Sequence, residues 1–103
     1  MTSQELYKLI EQEILPPCKE IMQTKGTSYS GTEDKLGNFK RIAKVTNLPV
    51  ETICFVYMAK HWDAICSYIR KEYSDSEKIS SRIMDIINYC FLLYAILKEQ
   101  KQL

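Results

Sequence analysis

The sequence predicts an all-α protein, a compact four- to five-helix bundle formed by a single domain over residues 1–103. Three observations carry that expectation. Residues 83–97, IMDIINYCFLLYAIL, are apolar or aromatic on almost every face, as in the central helix of a domain. Apolar residues elsewhere recur at helical spacing between recognisable caps and breakers. No useful strand-like alternation appears, and a chain of 103 residues suffices for one core but not two.

Thr2 or Ser3 can cap a first helix whose apolar face is Leu6, Leu9, Ile10 and Ile14. Pro16 and Pro17 are expected to break or kink it, with a further helical stretch to about Gln23. Residues 24–31 contain two glycines and several hydroxyls and read as a loop. Thr32 is the expected N-cap of the next helix, with Glu33 and Asp34 favourable to its dipole and Leu36, Phe39, Ile42 and Ala43 facing the core. Asn47, Leu48 and Pro49 end that helix and begin a third over about 49–71, burying Ile53, Val56, Tyr57, Ile65, Tyr68 and Ile69. After a polar connection a last helix is expected over about 78–100.

Composition narrows the function classes. A net charge of +1 gives no bulk attraction to nucleic acid or membrane. Cys18, Cys54, Cys66 and Cys90 lie in apolar helical patterns without a CxxC pair, which predicts reduced thiols and no metal site. The N-terminus lacks a basic leader before an apolar run, and residues 83–97 fall short of the roughly 20 residues of a membrane span. A cytoplasmic, soluble protein is expected. Its eleven aromatics (seven Tyr, three Phe, one Trp) are enough to leave apolar surface for a homo-oligomer.

Four groups are candidate sites. Asp85 and Asn88 share a face of the last helix, extended by Arg82 and Tyr89. A buried carboxylate needs a partner, so Asp85 either pairs with Arg82 structurally or the patch faces a ligand cleft. Lys60 and Asp63 read equally as a surface pair, while His61 follows the stripe of Tyr57, Ile65 and Tyr68, where a histidine is more often a hydrogen-bonded core residue than a base. Trp62 beside it suits the core better than a stacking platform. Residues 25–31 lack the residue order of a phosphate-binding loop, yet supply Lys25, Tyr29, two glycines and hydroxyls, the parts of an anion pocket. Glu33, Asp34 and Asn38 are explained by capping alone.

The pattern Lys25-Gly26-x-x-Tyr29-Ser30, Glu33-Asp34-x-x-x-Asn38-Phe39-Lys40, Tyr57-Met58-x-Lys60-His61 and Arg82-Ile83-x-Asp85-x-x-Asn88-Tyr89 resembles small phage-encoded helical proteins similar to the nucleotide-modification-associated domain family. The resemblance spans residues 20–97. The last helix also resembles the closing helix of MazG-like nucleotide pyrophosphohydrolases, all-α enzymes that use Mg²⁺. Those enzymes hold magnesium with paired acids, whereas this chain reads Arg82-x-x-Asp85 and Lys60-His61 at the corresponding places. Cations there suit direct phosphate contact and remove the oxygen ligands that magnesium needs.

The sequence is therefore read as a non-catalytic protein that binds a phosphate-bearing nucleotide, without a cofactor. Lys60 and Arg82 are assigned to phosphate, His61 and Asn88 to base or ribose, Tyr29 to stacking, Lys25 to the anion loop, and Asp85 to orienting Arg82 or accepting from the ligand. The phage resemblance implies sequestration of a nucleotide signal of host immunity in the host cytoplasm. The alternatives are a MazG-like pyrophosphohydrolase and a structural or protein-binding module.

Overall fold

Every described element is helical in the computed structural model, which describes residues 1–30, 34–74 and 76–103, with the backbone alone at 25–30. The elements are α1 (Ser3–Leu9), a π-helical turn (Ile10–Ile14), α2 (Leu15–Ser30), α3 (Gly37–Thr46), α4 (Val50–Ile69) and α5 (Ile79–Glu99). The all-α bundle is as expected.

The start of α1 is a capping box: Thr2 Oγ1 accepts from the Glu5 N–H at 3.1 Å, and the Thr2 N–H donates to Glu5 Oε2 at 2.8 Å. The two prolines do not break the helix. Neither can donate to a carbonyl four residues back, and their rings crowd those carbonyls. The π-helical turn just before them widens the ladder, with the Leu15 N–H reaching back to the Ile10 carbonyl, and helix continues on both sides.

The loop expected at residues 24–31 is also corrected, since α2 runs to Ser30. Thr24 shows how a hydroxyl residue fits there: its Oγ1 donates to the Glu20 carbonyl at 2.9 Å, within the helix. The expected capping residues Thr32 and Glu33 lie outside the described residues. Helix α3 begins later than expected, at Gly37, after a turn in which Asp34 Oδ1 accepts the Leu36 N–H at 2.9 Å. Lys40 then joins Asp34 Oδ2 at 2.8 Å to Glu99 Oε1 at 2.6 Å, tying this turn to the end of α5.

The remaining boundaries match the sequence closely. Asn47 closes α3 in the left-handed region at φ 57°, and the Leu48 N–H donates to the Ala43 carbonyl. Pro49 precedes α4, and Lys71 and Lys101, both at φ 61°, follow the ends of α4 and α5.

Helices α4 and α5 form an antiparallel hairpin, with Cys54 near Tyr89 and His61 near Asp85. Helix α3 packs on α4 and α2 on α5. The core joins Leu36, which precedes α3, and Phe39 and Ala43 of α3 to Ile53 and Cys54 of α4 and Ile96 of α5. Several expected core residues lie elsewhere. Leu6 is exposed, as are Val56, Tyr57, Tyr68 and Ile69 of α4. Helix α5 is not enclosed: Ile83, Phe91 and Tyr94 face outward, while its buried residues are Asp85, Asn88 and Ile96. By length and composition the whole of α5 suffices to cross a membrane, although the apolar run at 83–97 falls short.

Candidate functional site

Helical spacing builds the site. Residues four apart share a face, which places Tyr57 beside His61 on α4 and Asp85 beside Tyr89 on α5. Antiparallel pairing brings these faces together, and Asn88 adds a polar group one turn beyond Asp85. His61, Asp85 and Asn88 are all buried.

His61 Nδ1 lies 3.1 Å from Arg82 Nη1 and 3.4 Å from Asp85 Oδ2. A guanidinium only donates, so Nδ1 can accept from Arg82 or donate to Asp85, but not both. The shorter contact is with Arg82. Arg82 also holds Glu77 Oε2 at 2.9 Å. Asp85 therefore sits against the His61 ring, one helical turn from Arg82. Its field, after burial itself, helps push the Cys18 thiol above its ordinary range.

Asn88 differs from its neighbours. Its Nδ2 donates to the Cys18 carbonyl of α2 at 3.0 Å, which fixes the orientation of the amide. Its Oδ1 is buried and has no hydrogen-bond partner among the described residues. An acceptor left in that condition costs about 1–3 kcal/mol, which a donor brought to it by a ligand would relieve; in the free chain the atom is sealed from solvent.

These groups form the floor of a cleft of about 610 Å³ between α2, α3, α4 and α5. That volume suits a small organic ligand. Phe39, Tyr57 and Tyr89 supply aromatic walls, with Phe39 edge-on to Tyr57 at 5.7 Å between centroids and Tyr89 5.4 Å from the His61 ring. Ile21, Val56 and Leu92 add apolar surface, and Lys35 and Lys60 supply cations. Lys60 is exposed; Lys35 Nζ donates to the Met22 carbonyl at 3.3 Å.

Of the residues singled out from sequence, Lys60, His61, Asp85 and Asn88 line one cleft. Arg82 is not among the lining residues; it touches His61 and Glu77 instead. The side chains of Lys25 and Tyr29 lie outside the described residues. Sequence reasoning missed Lys35 and took Phe39 and Tyr57 only as core. The available signal was the i, i+4 relation of Tyr57 to His61, read as burial rather than as a wall. Among the described residues, no three His, Cys, Asp or Glu side chains converge as a metal site.

No protein-family model, curated protein or solved structure matches this chain.

Proposed function

We propose that the cleft binds a small phosphate-bearing nucleotide and holds it without hydrolysis. The observation that carries the reading is Asn88 Oδ1, a buried acceptor without a hydrogen-bond partner among the described residues, on the floor of a cleft with aromatic walls and lysines. A base or ribose supplies the N–H or O–H donor that this oxygen lacks. Aromatic rings accept the flat face of a base, and Lys60 and Lys35 suit phosphate. Magnesium-dependent hydrolysis asks for hard oxygen ligands, and Asp85 is the one carboxylate among the described lining residues. On the resemblance to phage-encoded helical proteins, the role we propose for such holding is sequestration of a nucleotide signal.

The test is denaturation of the purified protein with mass spectrometry of what it releases, followed by calorimetric titration with mono-, di- and cyclic nucleotides. A released nucleotide, or saturable binding weakened in Lys60→Ala, supports the reading. Release of nothing, together with no binding across the panel, refutes it. Turnover of nucleoside triphosphates with Mg²⁺ or Mn²⁺ that is lost in Asp85→Ala refutes the non-catalytic part.

A further inference from the structure

Helices α4 and α5 each carry two apolar seams; the fold buries one of each, and of the second it half-buries Met58, Ile65, Ile87 and Leu97 and leaves the rest exposed. On α4 the inner seam passes through Cys54, Tyr57 and His61, and on α5 through Asp85, Tyr89, Leu92 and Ile96. Residues 55, 58, 62, 65 and 69 make a second seam on α4: Phe, Met, Trp, Ile and Ile, spaced three, four, three, four. Residues 83, 87, 90, 94 and 97 repeat the device on α5: Ile, Ile, Cys, Tyr and Leu, spaced four, three, four, three. Such alternation is the knobs-into-holes pattern of helices that pack along their length. At 100° per residue, the second seams are rotated about 90° from the inner one on α4 and about 150° on α5, and about 150–170° from the residues that line the cleft. They therefore lie on the back of the hairpin, opposite the cleft and away from α2 and α3.

Exposure agrees with that placement. Phe55 is 63% exposed, Trp62 60%, Ile69 72% and Tyr94 62%. Neither seam contains a charged residue. We infer that this face is the interface of a homodimer, in which two α4–α5 hairpins meet across a two-fold axis as a four-helix bundle.

Area supports a second copy as the occupant. An aromatic side chain carries about 150–250 Å², so Phe55, Trp62 and Tyr94 each expose on the order of 100–150 Å². With Ile69 and Ile83, the face offers about 500 Å² of apolar surface, towards the upper end for the largest patch of a monomer. Two such faces bury about 1,000 Å² before any polar rim is added, the size at which specific association begins. An apolar face without charges is complementary to itself, as a two-fold contact requires. A lipid surface suits the face less well. Interfacial helices flank their apolar stripe with basic residues, and this chain's net charge is only +1. Spanning a bilayer with α5 would take Asp85 and Asn88 away from His61 and Cys18 into hydrocarbon.

Sedimentation velocity on the full chain across micromolar concentrations tests the inference, together with Trp62→Glu and Tyr94→Lys. Both positions are exposed in the single chain, so circular dichroism of the variants should match that of the wild type. The expected result is twice the 12.1 kDa chain mass for the wild type and a single-chain mass for both variants. Trp62 is the only tryptophan, so its emission should shift to the red as the wild-type protein is diluted. A wild-type protein that sediments as single chains overturns the inference, as does a dimer that survives both substitutions. So does flotation of wild-type protein with phosphatidylcholine–phosphatidylglycerol vesicles that both substitutions abolish.

Discussion

Replacing Asn88 by leucine separates a ligand-binding amide from a structural one. The side chains are similar in size, so the substitution leaves no large cavity. It removes one hydrogen bond, Nδ2 to the Cys18 carbonyl, worth about 0.5–1.5 kcal/mol. That carbonyl lies within α2 and keeps its helical partner. The substitution also removes a buried acceptor with no partner among the described residues, relieving about 1–3 kcal/mol, and adds apolar burial of about 1 kcal/mol. The balance favours Asn88→Leu by about 2 kcal/mol, which raises Tm by about 8–16 °C for a domain of this size. Binding should fall below detection at the same time, because the acceptor for the ligand's donor is gone. Thermal denaturation without ligand and calorimetric titration measure the two effects separately. A variant that melts several degrees below wild type would show that Asn88 Oδ1 is satisfied in the free protein, and the main support for the cleft as a ligand site would be lost.

Lys60→Ala removes an exposed cation from the cleft and should weaken nucleotide binding roughly ten- to a hundredfold with Tm unchanged, as read by the same titration. Arg82→Ala should act chiefly on stability, lowering Tm by several degrees, because it strips a partner from the His61 and Asp85 group; normal stability with lost binding would return Arg82 to the phosphate. Timed alkylation at pH 8 followed by peptide mass spectrometry should label Cys90 first in the single-chain Trp62→Glu variant, and more slowly in the wild type, where the partner copy covers the second seam. Cys54, whose thiol burial and then Cys90 push up to about 11, should react only on unfolding, as should buried Cys18. Lys40 and the Leu36 N–H hold Asp34 below the usual carboxylate range, so its contribution is present above the unfolded value near 4 and fades as pH falls through the lower folded one. The pair is half-exposed, so Asp34→Asn should cost less than about 1 kcal/mol at pH 7 and progressively less as the pH is lowered, measured by urea denaturation.

The sequence was most legible where local chemistry decides structure. Asn47, Pro49 and the capping residues act within a few positions, so helix ends near them could be read directly. It was less legible where one local preference overrode another. Pro16 and Pro17 predict a break, yet one π-helical turn accommodates both, and residues 24–30 continue a helix although their composition suggests a loop. Burial was harder still. The apolar stretch at 83–97 announces a helix with partners on every side, but not whether they belong to the same chain. That is why Tyr94 and Ile83 could be read as core and yet lie outside it. For the site, period and residue type together brought Lys60, His61, Asp85 and Asn88 to one cleft. The position of Arg82 depends on Glu77 and His61, from another turn and another helix, and no local pattern encodes it.

The two faces of the α4–α5 hairpin pose one problem with two different answers. On the inner face, polar groups interrupt the heptad pattern: His61 on α4, and Asp85 with the adjacent Asn88 on α5. A hairpin selected only to pack would place leucine or isoleucine there, since replacing a buried ion pair by apolar residues is often neutral or stabilising. Retaining three buried polar side chains lowers the stability available to a small core, so their presence needs a return other than packing. On the back face the pattern is uninterrupted by charge although it meets solvent in the single chain, a cost that association removes. If both answers hold, disrupting the back seam should separate the copies without touching Lys60, His61 or Asn88. Nucleotide affinity of Trp62→Glu should then stay within about threefold of wild type at concentrations where both are folded. A dimer-dependent loss of binding would instead mean that the second copy helps to shape the cleft, and the two faces would have to be treated as one site.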